Sequence, residues 1–394
     1  MTRVLFHVQH LLGVGHLRRA ELLAEAMHAA GLDVTVALGG APVPDVSFAG
    51  IRTMALPAAH IAGEDFGTLL DADGNAVDDA WKARRAEALL SLFRSLRPDI
   101  VLLELFPFGR RQLRFELLAL LEAARETTPR PLVAASVRDI LVSARKPGRA
   151  EEAAEIARSS LDAILVHADP NVVAFGATFP LADRLAGLIR YTGYVAPPPA
   201  AMSAEGLGEV VVSAGGGAVS APLLFAALAA RPATIVSDAT WRFLTGPNLS
   251  DAEFARLAAV AGPKTIVERF RPDFSARLAN AALSISQAGY NTVMDILRAR
   301  VPAVVVPYET PSETEQRLRA DLLAARGLLG IVPAAALTPA TLATAIDAAI
   351  RRGKPSESQV DLDGAANTAA LIARLLAESR DRPPPLRGEG LGAA

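Results

Sequence analysis

A glycine–histidine turn, a run of three glycines and a Ser-Gln-Ala-Gly turn are the places where residue types and spacing could hold a phosphorylated ligand and act on it. The first is Gly13-Val14-Gly15-His16-Leu17-Arg18-Arg19. Its glycines let the backbone turn tightly and approach a ligand. His16 can serve as a general base near neutral pH, and the plain alternative is a turn histidine with its hydrogen bonds satisfied. Arg18 and Arg19 fall in the first turn of the next helix, where cations oppose the helix dipole and gain from a bound anion. The competing reading pairs Arg18 with Glu21 one turn on. A dinucleotide fingerprint would need a third glycine where Arg18 stands and an acid ending the second strand, whereas Asp33 precedes that strand, so NAD is disfavoured.

The second turn, Ser213-Ala-Gly215-Gly216-Gly217, follows the run Val210 to Val212 and can aim several backbone N–H groups at a diphosphate. It lacks the lysine of an ATP-binding loop, and a plain flexible loop is the other reading. The third runs Ser286-Gln287-Ala288-Gly289-Tyr290-Asn291-Thr292-Val-Met-Asp295. Here a strand ends, a helix opens with Asn291 or Thr292 as expected cap, and hydroxyl, amide and carboxylate groups gather where a phosphate and a ribose could sit. A capped helix start with a dipole-favoured Asp295 is the structural alternative. A fourth segment after Pro307-Tyr308 brings Glu315 and Gln316 to a helix start. Glu104, Arg138 and Asp139 stand where strands end in the first half; Glu104 and Asp139 join His16 as catalytic candidates on the acceptor side, each with a structural charge as alternative. No metal is expected, on the reading that no Asp-x-Asp motif or close His and acid spacing is there to hold a divalent cation between phosphates.

The elements that must position these turns alternate. Short β-rich runs such as Arg3 to Val8, Val34 to Leu38, Ile51 to Leu56, Ile100 to Leu105, Leu132 to Val137 and Ala163 to Val166 are separated by helical patterns, the signature of βαβ units and a parallel sheet. The rhythm breaks at Pro197-Pro198-Pro199 and resumes with Val210 to Val212, Thr234 to Val236, Lys264 to Val267, Leu283 to Ile285 and Val301 to Val306. The fold class is therefore α/β, with two doubly wound Rossmann-like domains facing across a cleft. The expected boundaries are 1–196 for an acceptor-side domain, 197–208 for a linker, 209–360 for a donor-binding domain, 361–380 for a helix returning to the first domain, and 381–394 for a disordered tail.

Composition narrows the function classes. The chain has 394 residues, 51% of them hydrophobic, enough for two cores. No apolar run approaches the ~20 residues a membrane span needs, and the opening residues carry no signal-peptide pattern, so a cytoplasmic protein is expected. Forty basic against 42 acidic residues give a net charge of -2 and no field for nucleic acid. Cysteine is absent, which removes thiolate zinc sites and cysteine nucleophiles. The segment Phe106-Pro-Phe108-Gly-Arg110-Arg111-Gln-Leu-Arg114-Phe115 mixes basic and aromatic groups and could mark peripheral contact with a membrane or a lipid acceptor. The alternative is aromatics packed inward with solvated arginines.

Taken together, the third and fourth segments resemble the donor-binding domain of glycosyltransferase family 28, the group of the peptidoglycan N-acetylglucosaminyltransferase. The resemblance implies that Ser286, Ala288, Gly289 and Thr292 meet donor phosphates, that Asp295 stands in for a ribose-binding glutamate, and that Glu315 and Gln316 partly match the pair that contacts the sugar. Gly215 to Gly217 look like the family's second glycine loop, and Gly13-Val-Gly15-His16 like its first, whose histidine faces the reaction centre. A second resemblance, through Gly15-His16 and the nearby arginine, is to the nucleotide-sugar hydrolase of pseudaminic acid synthesis. What these imply is a metal-independent GT-B enzyme without a cofactor. It would use a nucleotide-diphosphate sugar, a UDP-sugar above others, and a lipid-linked or small-molecule hydroxyl acceptor. Hydrolysis or non-catalytic binding of the same donor are the alternatives.

Overall fold

The structure is a computed structural model that describes residues 1–11, 15–43, 46–61, 68–141, 147–200, 204–215, 221–271, 273–310, 314–355 and 360–381. Gly13, Gly216, Gly217 and the tail beyond residue 381 lie outside the described residues.

The first domain is built on β1 (Arg3–Val8), β2 (Asp33–Leu38), β3 (Arg52–Ala55), a small hairpin of β4 (His60–Ile61) and β5 (Leu69–Leu70), and β6 (Ile100–Glu104), β7 (Leu132–Arg138), β8 (Ala163–His167) and β9 (Ile189–Tyr191). Its helices are α1 (Gly15–Ala29), α2 (Asp79–Leu96), α3 (Arg114–Glu126) and α4 (Arg149–Ser160). Seven strands form one parallel sheet in the order β3-β2-β1-β6-β7-β8-β9. The central strands are continuous apolar runs because helices cover both faces; β6 is buried at all five positions.

The second domain carries β10 (Val210–Ser213), β11 (Trp241–Leu244), β12 (Thr265–Glu268), β13 (Leu283–Ser286), β14 (Ala303–Val305) and β15 (Gly330–Ile331) in the parallel order β12-β11-β10-β13-β14-β15. Helices α5 (Ala221–Ala230), α6 (Asp251–Val260), α7 (Phe274–Asn280), α8 (Tyr290–Ala299), α9 (Glu315–Ala324) and α10 (Pro339–Arg352) flank it. The last helix, α11 (Gly364–Asp381), crosses back to the first domain, where Ala369, Ile372 and Leu376 share a core with Leu23 and Met27 of α1.

One strand expectation fails. Thr234 to Val236 lies in turns, and the second strand of this domain is Trp241–Leu244. The bulky side chains decide it: Trp241 and Phe243 are fully buried, whereas Ile235 is exposed. The aromatics of the Phe106–Phe115 segment turn inward. Phe108 meets Phe175 and Phe179 edge-on at 5.3 and 5.1 Å, Phe115 lies against Trp81, and Arg111 and Arg114 pair with Glu152. This segment therefore presents no aromatic face to a lipid surface. Among the described residues, no helix is long and apolar enough to cross a membrane.

Candidate active site

All strands of each sheet point the same way, so their carboxyl ends gather on one rim. The strand order reverses between β1 and β6 in the first domain and between β10 and β13 in the second, and the outgoing chains diverge at those points to open a crevice. His16 follows β1 and Glu104 ends β6. Ser213 ends β10 directly beside Ser286 at the end of β13. The two crevices face each other: the start of α8 lies against the start of α1, where Asn291 Nδ2 donates to the Gly15 carbonyl at 3.3 Å.

On the first domain's side, His16 Nδ1 lies 2.9 Å from Glu104 Oε1. Arg19 reaches the same oxygen, and Ser136 Oγ donates to Oε2 at 2.7 Å. Burial opposes ionisation of Glu104, yet Arg19 and His16 outweigh it and hold the carboxyl well below the usual range. Burial, with Arg110 adding to it, pushes His16 down to about 3 against the pull of Glu104, so its imidazole is neutral. A neutral ring beside a carboxylate that only accepts must place its proton on Nδ1, which leaves the Nε2 lone pair free. The 3.0 Å approach of Arg19 to Nδ1 is then two donors converging on one oxygen. The imidazole is 17% exposed, among polar groups at the cleft.

Arg110 is the uncompensated charge here. Its Nε donates to the Gln9 carbonyl at 2.8 Å, and among the described residues no carboxylate pairs with it. Burial lowers it to about 10, Glu104 pulling the other way and Arg138 and Arg19 pressing in the same direction. Its backbone sits in the left-handed region, φ 59°, a conformation rare outside glycine, which turns the side chain back toward the sheet rim.

The floor between the domains is ionic and buried. Arg319 of α9 makes two 2.8 Å bonds to the Asp139 carboxylate at the end of β7, and further bonds to Glu315 at 3.0 Å and the Ala288 carbonyl at 3.2 Å. Glu315 also pairs with Arg138. The Tyr290 ring is flanked by Arg19 and Arg319 at 5.4 and 5.3 Å, and its hydroxyl accepts from Val195 N at 3.0 Å. Asp139 and Glu315 are thus committed to arginines across the domain boundary, and the Gln316 side chain accepts from Tyr308 N at 3.0 Å.

On the second domain's side, α8 begins two to three residues earlier than the sequence suggests. Gly289, extended at φ −62° and ψ 146°, is the cap, and it offers no side-chain hydrogen bond. Neither Asn291 nor Thr292 caps the helix; both lie in its first turn, where the cap residue supplies no side-chain acceptor and backbone donors are suited to an anion. Gly215 needs its glycine, at φ 65°, and a Cβ on Gly246 would strike the Gly215 carbonyl, so these two loops pack backbone to backbone. Ser286 is buried, its hydroxyl without a partner among the described atoms. Asp295 accepts from Ser275 Oγ at 2.7 Å, and burial pushes it up to about 6 against Ser275 and the nearby Arg18. It lines a cavity of about 150 Å³ with Ser275, Arg298 and Pro197 to Pro199. Arg18 itself pairs with Glu21 in α1.

Sequence reading does not reach several members of the site. Ser136 and His167 lie in apolar strands whose polar residues carry no motif, and Arg319 sits mid-helix. Two Asp-x-Asp spacings also pass unnoticed: Asp71 accepts from the backbone of residues 73 and 75, and Asp361 accepts from Asp363 N and Asn367 Nδ2. Among the described residues no group of three or more His, Asp or Glu side chains is placed to hold a metal.

Residues 212–374 match the glycosyltransferase family 28 C-terminal domain. Over 226 residues the chain is 28% identical to the UDP-N-acetylglucosamine--N-acetylmuramyl-(pentapeptide) pyrophosphoryl-undecaprenol N-acetylglucosamine transferase of Ralstonia nicotianae, covering 56% of this chain and 57% of that protein. The chain thus spans little more than half the length of that relative, and 37% of its Agrobacterium fabrum counterpart, at 28% identity over 34% of this chain. Two solved structures match along nearly the whole chain at 16% identity. The calicheamicin glycosyltransferase CalG4 has a TM-score of 0.61, covering 97% of this chain and 100% of that one; Acinetobacter baumannii MurG has 0.58 with the same coverage. The architecture is GT-B, and the second domain is related to family 28.

Proposed function

We propose that this protein transfers a sugar from a nucleotide-diphosphate sugar to an acceptor hydroxyl, without a metal. The observation that carries the reading is His16 Nδ1 at 2.9 Å from a buried Glu104, standing across the cleft from a helix start whose glycine cap offers no side-chain bond, in a domain that matches family 28. The donor lies along the second domain. Its diphosphate meets the backbone around Gly215, Gly216, Gly217 and Gly289, with Thr292, Tyr290, Asn291 and the Ser213, Ser286 and Gln287 turns about it. Its ribose hydroxyls are held by Asp295, whose raised pKa is what a carboxylate waiting for a donor partner has. A UDP-sugar is the favoured donor, because the curated relatives are named for one.

His16 Nε2 removes the acceptor proton as the hydroxyl oxygen attacks the anomeric carbon. The bond to the diphosphate breaks with its electron pair staying on phosphate oxygen. Glu104 stabilises the imidazolium that forms, and Arg110 with the first-turn N–H groups of α8 stabilises the charge on the leaving group. The acceptor enters from the first domain, beside His16.

The test is incubation of the pure protein with UDP-, GDP-, CMP- and dTDP-sugars, in the presence and absence of EDTA, with and without lipid-linked and small-molecule acceptors. Acceptor-dependent release of UDP, unaffected by EDTA, is expected. Equal release without acceptor makes the protein a nucleotide-sugar hydrolase, and tight binding without release makes it a binding protein.

A further inference from the structure

We infer that Ser136 and His167, two side chains buried behind Glu104, are positioning residues that direct the His16 proton and keep Nε2 open to the acceptor. The inference rests on the reading of His16 as base and extends it to a chain of hydrogen bonds four residues deep.

Glu104 Oε2 accepts from Ser136 Oγ at 2.7 Å; Ser136 Oγ lies 2.9 Å from His167 Nε2; His167 Nδ1 lies 2.8 Å from Thr192 Oγ1. All four side chains are shut away from solvent, at 0 to 2% exposure. The directions follow from counting protons. A serine hydroxyl has one hydrogen, and the carboxylate can only accept, so that hydrogen goes to Glu104. Ser136 Oγ is then an acceptor toward His167, whose proton must sit on Nε2. Burial pushes His167 down to about 3, so the ring is neutral, and its bare Nδ1 accepts from the Thr192 hydroxyl. Every proton in the chain points toward Glu104.

The consequence is at the other carboxylate oxygen. With Ser136 donating to Oε2, the carboxylate's rotation is fixed and Oε1 is turned to His16 Nδ1–H and Arg19, which sets the histidine's tautomer. A core that needed only filling would use apolar side chains at positions 136 and 167, because buried polar chains are stabilising only when every member is satisfied. The His167 carbonyl also lies 3.4 Å from the Tyr290 hydroxyl, so the residue that anchors the base from behind touches the donor domain.

Nitrogen-15 NMR of the histidine rings tests this on the intact protein with no substrate, His16 and His167 being assigned by substitution. Wild type is expected to carry the proton on Nδ1 of His16 and on Nε2 of His167 at neutral pH. In Ser136→Ala and His167→Leu the His16 ring should become a mixture of tautomers, and turnover of the UDP-sugar should fall roughly tenfold or more at unchanged donor KM. His167→Gln, which can still donate to Ser136, should recover most of both. Wild-type His167 with its proton on Nδ1 overturns the proposal even if no variant folds. So does a folded Ser136→Ala protein whose His16 signals and kcat match wild type. A protein that shows the expected ring protonation yet binds no UDP retires the glycosyl-transfer reading alone.

Discussion

At the scale of single residues, the site separates two acid–base roles by environment. His16 is held neutral by burial and by neighbouring guanidinium charge, with Glu104 ionised behind it. His16→Ala should lower turnover by roughly 10²- to 10⁴-fold while leaving UDP affinity unchanged by calorimetry; equal turnover removes it as base. Asp295 behaves in the opposite sense. Its folded pKa of about 6 lies above the ordinary 3.8, so the fold binds this proton more tightly than the unfolded chain does. Its contribution to stability is present below about pH 4 and is lost as pH rises through 6. Asp295→Asn should therefore be more stable than wild type in urea unfolding above pH 6, by on the order of 1 to 3 kcal/mol, with no difference below about pH 4. The same variant should bind UDP more weakly, and wild-type donor affinity should fall as pH drops through 6.

At the scale of elements, α8 and α9 are docked on the first domain by buried charge. Arg319 is 1% exposed and its Asp139 partner 0%, and desolvation of such a pair offsets most of its attraction. Arg319→Met alone should destabilise by about 3 to 5 kcal/mol, because Asp139 is left buried without a counter-charge. The double variant Arg319→Met with Asp139→Asn should recover most of that loss in urea unfolding. If the two single effects simply add, the pair is not coupled as its geometry indicates. Tyr290 serves both sides as well: it opens α8 of the second domain, and its hydroxyl takes the Val195 N–H of the segment entering the linker.

At the scale of the whole molecule, one apolar cluster is continuous from Leu117 and Phe175 in the first domain to Val293 and Ala320 in the second, and α11 ties the chain end back to α1. The first domain is therefore completed only by residues that follow the second. Ile372→Ala, at a fully buried position of α11, should cost about 2 to 5 kcal/mol and should unfold the first domain before the second loses its UDP affinity. A variant of wild-type stability by differential scanning calorimetry would show that α11 is not part of that core.

Alternating β-rich and helical runs in the sequence determine the two parallel sheets, because the period of apolar residues is a local property of each segment. The turns at Gly15-His16 and Ser286 to Thr292 are legible for the same reason: a glycine, polar side chains and a strand end are adjacent in the chain, although the cap of α8 proves to be Gly289 rather than Asn291 or Thr292. The strand at Trp241 is missed where a weak apolar run, Thr234 to Val236, competes with a bulkier one seven residues on, and only burial in the core chooses between them. Tertiary structure alone decides that Glu104 lies 2.9 Å from His16, 88 residues away, and that Asp139 pairs with Arg319 across the domain boundary. It also decides that Ser136 and His167 stand behind Glu104. A charged group has no periodicity, and its partner is fixed by strand order across the sheet, which no short stretch of residues encodes.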